Sequence, residues 1–219
     1  MRPAYKQTVL VLLILGVSIL KAQDLHITRL HYDGGGDWYA NPSSLPNLIK
    51  FISAETNIRV APEEARVKIT EADLYNHPYL YMTGHGNVRF SNEEVYRLRD
   101  YLTSGGFLHA DDNYGMDESF RREMKKVFPK KEWVDLPHDH PLFSSYFKFS
   151  GGLPKIHKHD ERPPQALALF HSGRIVVLYT YESDLGDGWE DIEVHQDGEL
   201  KHRSALEMGT NILIYAFTH

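Results

Sequence analysis

Residues 91–117 constrain the fold more than any other stretch of this sequence. Ser91-Asn92-Glu93-Glu94 has the form of a capping box: Ser91 as N-cap, Glu94 three residues on to close the reciprocal bond. Val95, Leu98 and Leu102 then fall on one helical face, and Gly105-Gly106 stops the helix just past Ser104. Phe107-Leu108-His109-Ala110 follows as a short apolar strand, and Asp111-Asp112-Asn113-Tyr114-Gly115 as the turn at its carboxyl end. Asp117 opens a second helix that runs through Val127 and is closed by Pro129. A helix, a buried strand and a helix joined by such short turns specify a sheet covered on both faces.

The rest of the chain continues the alternation. Leu25–Tyr32 reads as a strand entering a glycine-rich loop, Asp33–Tyr39, and Ser44–Thr56 as a helix with Leu45, Leu48, Ile49 and Ile52 inward. Val67–Ile69 and Tyr79–Thr83 read as short strands, the second ending at Gly84-His85-Gly86. Trp133–Leu136 is a further strand candidate, and residues 137–164 are irregular. Ala166–His171 and Arg174–Tyr181 flank Ser172-Gly173 as a hairpin, placing an antiparallel addition at one edge. Asp184–Asp191 reads as a polar loop, and Lys201–Phe217 as a last helix carrying Leu206, Ile212, Leu213 and Tyr215 inward. The expected fold class is α/β: a flavodoxin-like three-layer sandwich, mostly parallel, with a late antiparallel hairpin.

Arg2 and Lys6 precede Thr8–Leu20, an apolar run too short to span a bilayer comfortably and suited to the core of a signal peptide. The expected organisation is a signal peptide over residues 1–22 and one α/β domain over 23–219, exported to the periplasm or beyond, with an uncleaved anchor as the rival. Of 219 residues, 42% are hydrophobic and 25% charged, enough for a real core. With 24 basic against 30 acidic residues, nothing electrostatic points to nucleic acid or, beyond the signal segment, to a membrane. The absence of cysteine excludes disulfides, thiolate metal sites and a thiol nucleophile.

Ligands of open α/β sheets bind beyond the carboxyl ends of the strands. Four polar segments fall there, contributing Asp33, Asp37 and Trp38, then His85, then Asp111, Asp112 and Asn113, and finally Glu182, Asp184 and Asp187 with Trp189 beyond. His85, Asp111, Asp112 and Glu182 are the candidate catalytic groups. Asp37, Trp38, Asn113, Asp184, Asp187 and Trp189 are the candidate ligand-binding groups, an indole suiting a sugar face. His109, inside a strand, reads first as a core histidine. The chain's 13 histidines include two tracts, His138-Asp139-His140 and His157-Lys158-His159-Asp160, whose composition suits a metal. No known ligand spacing is complete, so the sequence alone assigns no metal ligand, and no cofactor is specified. The Walker, dinucleotide, EF-hand and G-x-S-x-G patterns are all missing.

The runs YDGGGDWYANPSSLPNLIKF, YMTGHGNVRFSNEE, GGFLHADDNYGMD, LPHDHPLF and TYESDLGDGWEDIEVH resemble a bacterial family, domain-of-unknown-function family 4159. The resemblance implies a fold like the class I glutamine amidotransferases. The pattern Gly105-Gly106, His109 and His140-Pro141 is similar to the trehalose-utilisation group of that superfamily. Amidotransfer needs a cysteine thiolate at the strand-to-helix turn, where this chain has Ala110-Asp111-Asp112, so that activity is excluded. Three expectations stay open: a domain that binds or hydrolyses a small polar ligand, perhaps a carbohydrate; a non-catalytic domain for an envelope protein partner; or a metal-dependent His/Asp site. An Asp111 tied up in capping bonds favours the second, and free carboxylates in a deep cleft favour the first.

Overall fold

A computed structural model of the chain describes residues 24–159 and 161–219, so the expected export segment lies outside the described residues. The chain runs through β1 (Thr28–His31), α1 (Ser44–Glu55), β2 (Ala65–Lys68), β3 (Tyr79–Met82), α2 (Asn92–Thr103), β4 (Phe107–Asp111) and α3 (Asp117–Val127). It continues through β5 (Val134–Asp135), β6 (Gln165–His171), β7 (Arg174–Tyr181), α4 (Leu185–Trp189), α5 (Ile192–His195) and α6 (Glu199–Thr218). One seven-stranded sheet has the order β2-β1-β3-β4-β7-β6-β5. The first five strands in that order are parallel, while β6 runs antiparallel to β7 and β5 antiparallel to β6. The late hairpin therefore lies towards one edge, as the sequence predicts, with β5 outside it.

Alternate residues of the central strands feed two cores. Tyr79, Tyr81, Phe107 and Leu178 face α1, α4 and α6; Leu80, Met82, Leu108, Val177 and Tyr179 face α2 and α3. Strands buried on both sides have to be apolar at nearly every position, which is why β3 and β7 carry continuous apolar runs instead of alternation. The capping box of α2 forms as expected: Glu94 N–H donates to Ser91 Oγ at 3.2 Å and Ser91 N–H to Glu94 Oε2 at 2.7 Å. No helix among the described residues is long and apolar enough to cross a membrane.

The structure corrects one segment that matters later. Residues 184–191 are not a solvated loop: Leu185–Trp189 forms helix α4, and all five of its residues are buried. Leu185 and Trp189, four apart, share a helical face and belong to the core with α1 and α6, while the indole N–H donates to Ala205 O at 2.7 Å. Its two glycines allow that depth. A Cβ at Gly186 would stand 2.5 Å from Tyr81 Oη, and one at Gly188 would stand 2.5 Å from Ala205 Cβ. Helix α5, which no local pattern announces, carries His195 back towards α4.

Candidate functional site

The carboxyl ends of β1, β3, β4 and β7 lie on one border of the sheet because these strands are parallel neighbours. At β3, a Cβ on Gly84 would collide with the Tyr32 hydroxyl, so only glycine lets the turn close there. His85 then meets Asp37: its backbone N–H donates to Asp37 Oδ1, and Nδ1 lies 3.1 Å from Oδ2. His85 is half exposed and close enough to lower the proton affinity of His159. Trp38 stacks on His31 with ring centroids 4.0 Å apart. Trp189 is fully buried, so its ring offers no face to a sugar and none to a protein partner.

The paired aspartates of β4 have separate tasks. Asp111 is fully buried and accepts from Thr180 Oγ1, from Leu185 N–H at 3.3 Å and from Gly186 N–H at 2.7 Å. It thus holds the first turn of α4 against the sheet, and burial raises its pKa to about 7. Asp112 accepts from Met116 N–H at 3.2 Å before α3, and burial raises its pKa to about 6. Glu182 is paired with Lys155 at 2.9 Å. Asn113 and Asn41 exchange side-chain bonds at 3.0 and 3.2 Å, and Asn41 Nδ2 donates to Asp187 Oδ1 at 2.8 Å. Asn113 is therefore connected to Asp187 through Asn41 and positions it.

What converges here is a set of imidazoles and carboxylates. His157, Asp187 and His195 each bring one potential ligand atom within 4.8 Å of the others; His159, Asp184 and Asp187 do the same. Asp187 belongs to both sets. Zinc ligands at about 2.0–2.2 Å stand roughly 3.5 Å apart in a tetrahedron, so an ion needs a contraction of at most about 1.3 Å. His195 Nε2 lies 3.0 Å from Glu190 Oε2, which leaves Nδ1 towards Asp187 Oδ2 at 3.6 Å. His157 Nδ1 lies 3.1 Å from Asp197 Oδ2, leaving Nε2 as its free nitrogen. A carboxylate behind each imidazole is the arrangement that orients histidines as metal ligands and raises their basicity. Beside the first set, Asp187, Glu190, His195 and Asp197 help line a cavity of about 10 Å³, close to the space one water fills.

The segment from β7 to α4 is strained. Glu182 and Asp184 both adopt left-handed backbone, with φ of 58° and 57°. Asp184 is 1% exposed and its Oδ2 is buried with no hydrogen-bond partner. Desolvation, followed by Asp111 and Asp187, pushes its pKa up to about 9. A cavity of about 670 Å³ lies elsewhere, along Asp33, Asn87, Arg89 and Ser91. It opens beside the start of α2, whose first amides are already capped.

The sequence predicts Asp184 and Asp187, and the His157–His159 tract by composition. It does not single out His195, which stands alone in a charged stretch; only its seat on α5 beside α4 brings it to the cluster. His138 and His140 are not in either set. A search of curated proteins returned no match. The model of a family described as a domain of unknown function, DUF4159, matches residues 26–217, nearly all of the described chain. The protein belongs to that DUF4159 family.

Proposed function

We propose that this domain holds a divalent transition-metal ion through His157, Asp187 and His195 and uses it on a small polar ligand at the sheet border. The observation that carries the reading is the convergence of these side chains with Asp197 and Glu190 behind the two imidazoles. Two histidines and a carboxylate leave the fourth position of a tetrahedral ion open, the pattern of a site that polarises a bound oxygen or activates a water for hydrolysis. Mixed imidazole and carboxylate ligands favour zinc and its neighbours over calcium or magnesium. The acids described above as candidate catalytic groups belong to neither ligand set: Asp111 is tied to the amides of α4, Asp112 to Met116 N–H and Glu182 to Lys155, so they support the backbone around the site.

The test is metal uptake by protein purified without a histidine tag. Calorimetric titration with Zn²⁺ and elemental analysis after dialysis should show at least one bound equivalent. Asp187→Asn should weaken binding by tenfold or more while circular dichroism stays unchanged. Less than a tenth of an equivalent after titration refutes the proposal.

Two wider expectations travel with it. Export is supported by the basic start and the apolar Thr8–Leu20 run. A flavodoxin-like, amidotransferase-type kinship is supported by the parallel order β2-β1-β3-β4 followed by β7, although without cysteine the chain has no amidotransferase chemistry.

A further inference from the structure

Building on that metal reading, we infer that the site is dinuclear: a second divalent ion lies between His159, Asp184 and Asp187, and the Asp187 carboxylate bridges the two ions. The ligand atoms of the second set, like those of the first, lie within 4.8 Å of one another. What separates it from an ordinary acidic cluster is Asp184. Its side chain is almost fully buried, and Oδ2 has no hydrogen-bond partner. A carboxylate oxygen in that position needs either a proton or a cation to compensate it, and the ligand atoms of His159 and Asp187 beside it point to a cation.

Among the neighbouring groups, Lys155 acts favourably on Asp184 at a distance, but none donates a hydrogen bond to Oδ2. Lys155 is engaged with Glu182 at 2.9 Å, Asp111 with the amides of α4, and Asp112 with Met116 N–H. The remaining group is His159, whose Nε2 lies 3.5 Å from Asp184 Oδ1 and whose ring stacks on Tyr114 with centroids 4.5 Å apart. Asp187 is set to serve both ions, because Asn41 Nδ2 fixes Oδ1 while Oδ2 points to His195. Paired ions sharing a carboxylate stand about 3.5–4 Å apart and clamp two oxygens of one ligand, or one oxygen between them.

Stoichiometry and spin coupling test this separately from the mononuclear reading. The intact domain, dialysed against Zn²⁺, should retain two equivalents. Asp184→Asn should retain one, and His195→Gln one. Asparagine tolerates left-handed backbone well, so Asp184→Asn keeps the turn. With Co²⁺ in place of Zn²⁺, the wild-type electron paramagnetic resonance signal should be attenuated by coupling between the ions, and Asp184→Asn should give the full uncoupled signal. One equivalent in both the wild type and Asp184→Asn overturns the second site and leaves the first standing. Two uncoupled equivalents overturn the bridge. Less than a tenth of an equivalent in the wild type removes both readings.

Discussion

Protonation of His109 should cost this fold stability in mildly acidic solution. The residue lies on β4 with no exposed surface. The Thr180 hydroxyl spends its proton on Asp111, so it accepts from His109 Nε2–H at 3.0 Å, and Nδ1 accepts from the Tyr79 hydroxyl at 3.0 Å. The rings of Tyr81 and Trp189 pack around it, so this imidazole is held neutral and dry, and burial lowers its pKa to about 3. In the unfolded chain a histidine titrates near 6.5. A group with a depressed native pKa contributes stability fully above the unfolded value and loses it as pH falls, because the unfolded chain then binds the extra proton. Each pH unit below 6.5 costs about 1.4 kcal/mol, so from neutral pH to pH 5 the loss is about 2 kcal/mol. Asp111, Asp112 and Asp184 work the other way. Their raised native values, about 7, 6 and 9, make the folded chain bind protons first, so they add stability as pH falls. Comparing wild type with His109→Gln, which keeps polar atoms but does not titrate, cancels those shared terms. Urea melts of metal-free protein at both pH values should show wild type losing about 2 kcal/mol more than the variant. Equal losses in the two proteins would refute the account of a dry, neutral His109.

Three further outcomes follow from packing and linkage. Gly186→Ala should destabilise the fold by about 1–3 kcal/mol in denaturant melts and weaken Zn²⁺ binding, because the new methyl lands against Tyr81 Oη and Asn41 Nδ2; wild-type stability in that variant would show that α4 is not seated on β3. Ser91→Ala should cost about 1 kcal/mol through loss of the capping bond to Glu94 N–H, without changing metal affinity. Zn²⁺ at one hundred times its dissociation constant should stabilise the protein by about 2.7 kcal/mol, read as a rise in melting temperature that excess chelator reverses; an unchanged melting curve would contradict a site formed only in the folded state.

Much of the scaffold is legible in the sequence because its signals are local. The capping box at Ser91 and the glycine stop at Gly105 bound α2 within a residue or two, and the apolar runs of β3, β4 and β7 need only burial on both sides to be read as strands. Helix α4 is different. Leu185–Trp189 contains two glycines and an aspartate, all turn formers, and its helical state is set by distant partners: Asp111 at its start, and Ala205 and Gly209 against Trp189. The same holds for the site. Topology alone puts Glu182, Asp184 and Asp187 on the right border, but His157 lies 30 residues before Asp187 and His195 eight after it, and together they match no known ligand spacing. They meet because a strap leading to His157 is tied to the β7–α4 turn, with Ile156 N–H donating to Ser183 O at 2.9 Å. A ligand set built this way carries no short motif.

The left-handed residues Glu182 and Asp184 have a consequence for how this protein can change. Glutamate is a poor occupant of such backbone and aspartate a tolerated one, so exchange for glycine would relieve about 1 kcal/mol of backbone strain at Glu182, offset by loss of the Lys155 pair, and less at Asp184. Random drift, or an engineer selecting only for heat resistance, has therefore little reason to keep these acids. Their persistence in a related chain would signal that the border site is still in use, and their replacement would mark a copy released from that duty.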